Sequence, residues 1–437
     1  MGFDYGGDLV RGAVQLGRAV EQMTDDAPQR DGTTTPPHID SKRRKKLRQR
    51  SAFTMLGGIT EMRITKIKLY ELRVPLKHPY ILSKEYGVQA ETTPIVAEIH
   101  TDSGLIGYGE CDPWPLFTGD SQETVTVALT RHICPILLGK DPTNLNEVHR
   151  LMDATIRGNN IAKSAIDMAA FDLFGKSVGL PVHQLLGGKR RDTIRCFWSV
   201  GGATPEETAQ EVLQIKKLGY HGCMIKIGTA DYRNDIARTL AAREAAGADF
   251  PLVADANQGW DVETAINYGR ACEKAELLYF EQPVQSWDVR GMARVRRAVN
   301  IPISADEGVA TLQDAVNLIA AEAADVFSIK VTKHGGILPT KQICDYAAAS
   351  GIKLFFNSMI EEGITQAASL CVAATVPNLM TTIGHSFFSP LRLERDICDF
   401  HTRVIDGVTH ITDTPGLGIQ IDQEALEFYT VNTCCVE

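Results

Sequence analysis

From about residue 193 the chain repeats one pattern, in which a short apolar stretch is followed by a longer segment of helical character. Eight such stretches occur, beginning with IRCFWSVG, GCMIKIG and FPLVADANQGW. Segments such as PEETAQEVLQIKKLG and DVETAINYGRACEKA lie between them. Eight strand–helix units in about 200 residues predict an α/β barrel of the triosephosphate-isomerase type. An open doubly wound sheet is the alternative, and it is disfavoured because no G-x-G-x-x-G follows the first strand.

The preceding part of the chain follows a different order, with strands first and helices after them. Between Met62 and about Gly188, TTPIVAEIHTDSGLIGYGE predicts a hairpin with its turn at residues 102–104. The later segment SAIDMAAFDLFGKSVGL predicts a helix that ends near Gly179. Strands followed by helices favour an α+β domain ahead of the barrel.

The first 61 residues differ in composition from the rest of the chain. They are polar and rich in turn formers, and they contain the basic run KRRKKLRQR from Lys42 to Arg50. Such a segment buries little apolar surface, so we predict that residues 1–61 form a disordered extension. Nucleic-acid binding and targeting are alternatives for the basic run, and translation from Met62 is another explanation. The net charge of −9 argues against nucleic acid as the main partner.

Charged side chains stand at the ends of six successive strands of the predicted barrel. They are Lys226, Asp255, Glu281, Asp306, Lys330 and Glu361, spaced by 29, 26, 25, 24 and 31 residues. Each spacing matches one βα unit of about 30 residues. A single acid after a strand usually caps a helix or forms a turn, but the carboxyl ends of barrel strands line one mouth. Because burying such a set without a purpose is costly, we predict an active site at this mouth.

The residue types indicate the chemistry of this mouth. Asp255, Glu281 and Asp306 offer hard oxygen ligands without histidine or thiolate, which favours Mg²⁺ or Mn²⁺ over zinc. Lys226 and Lys330 stand on either side of them, and a nearby divalent cation is expected to lower the pKa of both lysines. A neutral lysine is a general base. One lysine on each face of a substrate carbon could remove a proton from one side and return it from the other.

Eight motifs between Met62 and the end of the chain resemble a known family. They are GYGE (107–110), AIDMAAFDLFGKSVGLPVHQLLGG (165–188), DANQGW (255–260), FEQPV (280–284), ADE (305–307), IKVTKHGG (329–336), SMIEEG (358–363) and TPGLGI (414–419). Together they are similar to the enolase superfamily, in its muconate lactonizing enzyme subgroup. The family's sites combine a lysine or histidine base with Mg²⁺.

The resemblance implies a modified (β/α)₇β barrel capped by an α+β domain that both chain ends build. We therefore expect a capping domain at 62–190, the barrel at 191–395, and a segment at 396–437 that returns to the capping domain. By position, Asp255, Glu281 and Asp306 would bind Mg²⁺, Lys226 and Lys330 would be the acid/base pair, and Asn257, Glu307, Lys333 and Glu361 would support them or meet the substrate. The common first step is removal of the proton α to a carboxylate, and the metal stabilises the resulting enolate.

Strand two departs from the pattern of the subgroup. Most members have K-x-K there, whereas this chain has Met224, Ile225 and Lys226. In this respect it is nearest to members that resemble hydroxyproline-betaine epimerases and 3-hydroxyproline dehydratases. The departure weakens an interpretation as muconate cycloisomerase, o-succinylbenzoate synthase or ordinary dipeptide epimerase. After strand eight the chain has GHSFFSP (384–390), where dipeptide epimerases tend to carry D-x-D.

Two loops of the capping domain set specificity in this family, and here they span residues 77–89 and 112–121. Their aromatic residues Tyr80, Tyr86, Trp114 and Phe117 would form a wall for a ring or an alkylated amine. The alternative is that these rings only pack the loops against the barrel.

The sequence therefore predicts a Mg²⁺-dependent racemase or epimerase of an amino acid, an imino acid or an N-substituted derivative. A lyase is the alternative, acting as a dehydratase of a hydroxy-imino acid or a sugar acid, or as a cycloisomerase. Schiff-base chemistry at a lysine is disfavoured by the three carboxylates. We expect a small carboxylate substrate, a homo-oligomer and a cytoplasmic location, because ten cysteines without C-x-x-C suit a reducing compartment. No apolar stretch approaches the length of a membrane span.

Overall fold

An antiparallel sheet assembled from both ends of the described chain starts the fold. The computed structural model describes residues 62–83, 85–386 and 389–437, with only the backbone at 389 and 390, so the predicted extension at 1–61 lies outside the described residues. The strands are β1 (Ile64–Leu72), β2 (Val74–Ile81), β3 (Val88–Thr92), β4 (Ile95–Thr101), β5 (Ile106–Cys111) and, at the far end, β16 (Thr430–Val436). The sheet order is β16-β1-β4-β5, and β2 and β3 form a separate hairpin.

Helices cover one face of this sheet. They are α1 (Pro115–Thr118), α2 (Gln122–Val127), a π-helical turn (Ala128–Ile133), α3 (Cys134–Leu137), α4 (Leu145–Thr155), α5 (Asn160–Val178) and α6 (Val182–Leu185). Helix α5 is buried along most of its length and lies directly on β5. This approach requires glycine, because a Cβ at Gly109 would lie 1.9 Å from the carbonyl oxygen of Ala165. We call the sheet, the hairpin and these helices the cap.

Seven parallel strands form the barrel sheet, in the order β13-β12-β11-β10-β9-β8-β7. Their bounds are β7 (Trp198–Val200), β8 (Cys223–Lys226), β9 (Leu252–Asp255), β10 (Phe280–Glu281), β11 (Ile303–Ala305), β12 (Val326–Ile329) and β13 (Lys353–Phe356). The α/β architecture predicted from the repeated strand–helix pattern is confirmed.

Two of the eight predicted strands differ from the expected form. The stretch IRCFWSVG divides into β6 (Thr193–Arg195) and β7, because β6 pairs instead with β15 in a small antiparallel sheet. The stretch LMTTIGH makes isolated parallel bridges rather than a ladder, with His385 bridging both Cys196 and Phe356. Gly384, at φ 79°, interrupts the extended conformation there. These bridges nevertheless connect the two edges of the barrel sheet.

Helices follow the barrel strands and cover them from outside. They are α7 (Pro205–Lys217), α8 (Tyr232–Ala246), α9 (Val262–Ala271), a 3₁₀ turn (Glu273–Ala275), α10 (Val289–Ala298), α11 (Leu312–Ala320), α12 (Val331–His334), α13 (Ile337–Ala349) and α14 (Gly363–Thr375). Local sequence explains where they begin: at α7, Thr204 accepts a hydrogen bond from the N–H of Glu207, and the Glu207 side chain bonds back to the Thr204 N–H. No helix among the described residues is long and apolar enough to cross a membrane.

The chain then returns from the barrel to the cap. The remaining elements are α15 (Ser389–Arg392), a 3₁₀ turn (Asp399–Arg403), β14 (Val404–Ile405), β15 (Val408–His410) and α16 (Gln423–Tyr429). Strand β16 follows α16 directly and pairs with β1, so that Ile67 lies opposite Val436. The cap sheet is thus completed by the end of the chain.

An apolar layer fills the barrel below the predicted active site. It consists of Phe197, Met224, Val253, Tyr279, Val326, Phe355 and Ile383, all buried. Because side chains alternate along a strand, Met224 points inward like Lys226 but one layer deeper. The methionine that departs from K-x-K therefore belongs to the packed interior of the barrel.

Candidate active site

The charged residues at the ends of β8, β9 and β10 lie side by side. Strand pairing places Lys226 opposite Asp255, and Asp255 opposite Glu281. The Nζ of Lys226 lies 2.5 Å from Asp255 Oδ2 and 3.3 Å from Asn257 Oδ1. Although burial opposes its charge, Asp255 raises the pKa of Lys226.

Asp306, which follows β11, is held by two lysines. Its Oδ2 accepts a hydrogen bond from Lys330 Nζ at 2.6 Å, and its Oδ1 accepts one from Lys333 Nζ at 2.7 Å. Burial alone would raise the pKa of Asp306, but the two ammonium groups lower it. The pKa of Lys330 is raised by Asp306 against the effect of burial, whereas burial and Lys330 lower the pKa of Lys333.

The pKa of Lys226 and that of Lys330 are raised in these ion pairs, and the lowering expected beside a divalent cation stays a prediction. Each lysine makes an ion pair with a carboxylate that the sequence assigned to the metal. A nearby negative charge favours the protonated lysine, and in these ion pairs it outweighs the effect of burial. Both lysines are accordingly placed as proton donors in this state.

Glu281 lies between the two ion pairs and is only partly satisfied. Its Oε1 accepts hydrogen bonds from Asn357 Nδ2 at 3.1 Å and Ser328 Oγ at 3.3 Å. Its Oε2 is buried and has no hydrogen-bond partner among the described residues. Burial and the neighbouring carboxylates of Asp255 and Asp306 raise the pKa of Glu281 well above its ordinary value.

This donor set fits a hard divalent cation. Three fully buried carboxyl groups on neighbouring strands repel one another, and one oxygen lacks a partner, so a cation would relieve both costs. Within the described part of the chain, however, no three acidic, imidazole or thiol groups converge closely enough to bind a metal. Asp255 and Asp306 instead make ion pairs with Lys226 and Lys330, respectively.

Asn257 and Glu307 connect the ends of β9 and β11, as supporting residues should. The backbone N–H of Asn257 donates to Asp255 Oδ1 at 2.9 Å, and its Nδ2 donates to Glu307 Oε1 at 3.2 Å. Burial, followed by repulsion from Asp306 and Asp255, raises the pKa of Glu307 to about 7.

Glu361, which is expected to meet the substrate or to orient its neighbours, is not among the residues that line the cavity. Its Oε2 accepts a hydrogen bond from Ser358 Oγ at 2.7 Å and another from the Met359 N–H, so its own loop engages it. The cavity instead meets Asn357, Ser358 and Ile360. Sequence reasoning missed Asn357 and Ser358, although both directly follow a barrel strand, because it looked for charges.

A small cavity lies between the two lysines. Its lining residues are Tyr80, Leu82, Tyr86, Trp114, Phe117, Ser199, Lys226, Asn257, Lys330, Asn357, Ser358 and Ile360. None of these described lining residues is Asp or Glu. Larger grooves occur on the surface, but they contain none of the charged strand-end residues, so chemistry rather than size identifies this site.

The four predicted aromatic residues line the cavity and also join the cap to the barrel. The ring centroids of Tyr86, Trp114 and Phe117 lie 5.5 to 5.9 Å apart. Tyr86 donates its hydroxyl hydrogen to Glu307 Oε1 at 2.8 Å, and Lys330 Nζ lies 4.0 Å from the Phe117 ring centroid. The rings therefore both line the cavity and contact the barrel, and their role as a wall for a substrate stays a prediction.

Two family profiles match the chain. The profile described as "Mandelate racemase / muconate lactonizing enzyme, N-terminal domain" matches residues 64–187. The profile described as "Enolase C-terminal domain-like" matches residues 207–425. The first match covers the cap except β16, and the second covers the barrel strands from β8 onward and the returning segment as far as residue 425.

The matches to individual relatives cover nearly the whole length of those relatives. The N-succinyl-L-Arg/Lys racemase of Bacillus cereus is 34% identical over 371 residues, which cover 85% of this chain and 98% of the relative. Its crystal structure superimposes with a TM-score of 0.82 at 33% identity, covering 86% of this chain and 100% of that one.

Two further relatives have other activities. A dipeptide epimerase from Cytophaga hutchinsonii, solved with Mg and D-Ala-L-Val, gives a TM-score of 0.79 at 31% identity, with 86% of this chain and 100% of that one covered. The chloromuconate cycloisomerase of Cupriavidus pinatubonensis is 30% identical over 334 residues, or 75% of this chain and 89% of the relative.

Proposed function

Because the chain belongs to the enolase superfamily, in its muconate lactonizing enzyme subgroup, we propose that it is a racemase of N-acylated α-amino acids. Its relatives include named racemases and epimerases, and on that basis the chain is an isomerase. The substrate class and the roles of individual residues are the proposal. They follow from the geometry of the cavity.

The observation that carries the proposal is the placement of two lysines across one cavity. Lys226 ends β8 and Lys330 follows β12, and three strands separate β8 from β12 in the sheet. Both side chains line the cavity. An α-carbon held between them would meet an amine on each face, which is what inversion of a stereocentre by proton transfer requires.

Asp255, Glu281 and Asp306 would hold Mg²⁺ at the floor of the cavity. When bound, the cation supplies positive charge to the substrate carboxylate and stabilises the negative charge that develops as the α-proton leaves. The Nζ of one lysine, once neutral, takes the proton from the α-carbon. The Nζ of the other donates a proton to the opposite face. Asn257 orients Lys226, and the aromatic wall of Tyr86, Trp114 and Phe117 excludes water.

An acylated nitrogen suits this cavity better than a free amine does. The lining includes two lysines and, among the described residues, no carboxylate that could pair with an ammonium group. A free amino acid would bring a third ammonium near them, whereas an amide nitrogen is neutral. The relative that acts on N-succinylated arginine or lysine supports this choice.

The experiment is a substrate screen in ²H₂O with Mg²⁺ present. Candidates are N-succinyl and N-acetyl derivatives of L- and D-amino acids, with the free amino acids as controls. We expect deuterium at the α-carbon and formation of the other enantiomer for acylated compounds only. A product that has lost water, or a lactone, would instead establish the lyase or cycloisomerase alternative. Absence of α-exchange in every acylated compound would refute the proposal.

Metal binding is tested separately from activity. We expect Mg²⁺ to raise the Tm of the wild-type protein, since a ligand that binds only the folded state stabilises it. The Glu281→Gln variant should lose this rise in Tm, because a neutral amide cannot replace the anionic oxygen that Glu281 would offer to the cation. An equal rise in both proteins would contradict the assignment of Glu281 as a ligand.

A further inference from the structure

The GYGE motif contains a carboxylate that the proposed reaction does not use. Glu110 lies in β5, is fully buried and does not line the cavity. Its Oε1 accepts a hydrogen bond from the backbone N–H of Glu362 at 2.7 Å, and its Oε2 accepts one from the N–H of Thr365 at 2.9 Å. A side chain of the cap therefore bonds the first turn of α14, on the barrel.

A second carboxylate holds the same helix end from the other side. Asp396, in the segment that returns to the cap, accepts hydrogen bonds at Oδ1 from the N–H of Gly363 at 3.0 Å and of Cys398 at 3.3 Å. The first N–H groups of a helix have no partner within the helix and favour negative charge. Glu110 and Asp396 supply acceptor oxygens to these groups.

The first turn of α14 continues directly from the strand-seven loop, residues 357–362. This loop contributes Asn357, Ser358 and Ile360 to the cavity. Ile360 has φ 70°, a left-handed conformation that is costly for a β-branched residue, so the surroundings must hold the loop in place. The hydrogen bonds that Glu110 accepts from the N–H groups of Glu362 and Thr365 anchor the loop at its C-terminal end.

The same strand leads to a second group of residues that line the cavity. Beyond Glu110, β5 ends at Cys111, and the chain enters the loop that carries Trp114 and Phe117. Glu110 thus connects two parts of the lining, the aromatic residues through its backbone and the strand-seven loop through its carboxyl group. The position of one part relative to the other affects the space for a substrate.

We propose that Glu110 is a positioning residue that fixes the strand-seven loop relative to Trp114 and Phe117 and so determines how bulky an acyl group the cavity admits. The statement about acyl groups rests on the proposed function, whereas the anchoring of the loop does not. Glu110 acts through the loop and touches no reacting atom.

The test compares Glu110→Gln with Glu110→Asp and with Asp172→Asn as a matched control. Glutamine presents an NH₂ group to a backbone N–H and loses one hydrogen bond, and aspartate keeps the carboxyl group with a shorter reach. Asp172 is an equally buried carboxyl group of the cap. It accepts hydrogen bonds from the N–H of Tyr108 and of Leu417 and from Lys176 Nζ at 2.6 Å, and none of these donors belongs to α14. It reports the general cost of removing a buried carboxylate.

Hydrogen exchange of the amides in 357–365 is the first measurement, and it needs no substrate. We expect exchange about tenfold faster in Glu110→Gln, corresponding to one lost hydrogen bond to a charged group, and unchanged exchange in Asp172→Asn. Equal exchange in wild type and Glu110→Gln would overturn the proposal. If Glu110→Gln does not fold, the same comparison is made with Glu110→Asp.

Kinetics on N-succinyl and N-acetyl substrates are the second measurement. In Glu110→Gln, KM for the bulkier substrate should rise about tenfold with a smaller rise for the acetyl compound and little change in kcat, and Glu110→Asp should restore part of the difference. A variant with a lower Tm but an unchanged ratio of KM values would show a merely structural role. If wild type acts on neither substrate, the proposed function fails, and the exchange measurement alone decides whether Glu110 anchors the loop.

Discussion

The two lysine sides of the cavity are built differently. On the side of β8, Lys226 stands alone above the apolar side chain of Met224 and pairs with Asp255 and Asn257. On the side of β12, Lys330 shares Asp306 with a second lysine and also faces the Phe117 ring. The β8 side therefore has one lysine, whereas the β12 side has two lysines and an aromatic contact.

This difference determines what each lysine leaves behind when it turns towards a substrate. If Lys330 moves away, Lys333 still neutralises Asp306 at 2.7 Å. If Lys226 moves away, the N–H of Asn257 is the one hydrogen-bond donor that the Asp255 carboxylate keeps among the described residues. A buried carboxylate without a cation is costly, so we expect the proposed proton transfer on the β8 side to depend more strongly on a bound metal. Two chemically equal lysines can therefore differ in how well the carboxylate beside each of them stays neutralised when the lysine moves.

The largest effect should come from removing either lysine. We expect Lys226→Ala and Lys330→Ala each to lower racemisation by about 10³-fold or more, since each loses a general acid or base. Each variant should still exchange the α-proton of one enantiomer, and the two variants should retain opposite enantiomers. Chiral chromatography with NMR in ²H₂O measures this, and retention of the same enantiomer by both would contradict the placement of lysines on opposite faces.

Replacing Met224 with lysine would make the two sides alike in number of lysines. Met224 is fully buried in the apolar layer, so Met224→Lys should lower the free energy of unfolding by more than about 3 kcal/mol. Met224→Leu is the matched control and should cost less than about 1.5 kcal/mol. Denaturant unfolding measures both, and equal stability of the two variants would show that this layer accepts a charge.

Asp396 is a buried carboxyl group whose pKa shifts in the opposite direction to that of Asp306. Burial raises the pKa of Asp396 to about 6 from an ordinary value of 3.8, whereas lysines lower the pKa of Asp306. The folded protein thus holds a proton that the unfolded chain releases, and this contribution to stability is lost as pH rises from about 4 to about 6.

Asp396→Asn should therefore flatten the pH dependence of the unfolding free energy in that window, by about 3 kcal/mol at most. Neighbouring Glu362 contributes to the same titration, because burial and the nearby carboxyl group of Asp396 raise its pKa. Unfolding curves at several pH values check the prediction. An unchanged slope in the variant would mean that another group carries the titration.

The smallest effect should come from removing the aromatic contact on the β12 side. Phe117→Leu keeps an apolar wall but loses the cation–π contact with Lys330, worth about 0.5–2 kcal/mol. Exchange that depends on Lys330 should change by about tenfold or less, and exchange that depends on Lys226 should not change. Leu116→Ala, at a side chain 62% exposed on the same helix, is the control. Equal effects on both exchange reactions would contradict a contact specific to one side.

The sequence predicted the positions of the strand-end residues well, for a physical reason. A βα unit has a nearly fixed length and parallel strands end at one edge, so a charge that recurs every 24 to 31 residues must appear at that edge. Lys226, Asp255, Glu281, Asp306 and Lys330 do lie together there.

Other features depend on contacts that spacing does not determine. The ion pairs of Lys226 and Lys330 are choices among side-chain conformations, and Glu361 is engaged by its own loop through Ser358. The division of IRCFWSVG into two strands depends on pairing with β15, which lies about 200 residues away in the chain. Such long-range pairings override local strand propensity.

The pairing of β1 with β16 sets an order for the folding of the chain. During synthesis β1 emerges first, but the strand that pairs with its outer edge follows the entire barrel. Contacts between distant parts of a chain form slowly because a long loop must close before they are rewarded. The barrel can therefore assemble while the cap sheet still has an open edge. We therefore expect the cavity, whose lining includes Trp114 and Phe117 of the cap, to be completed late in folding.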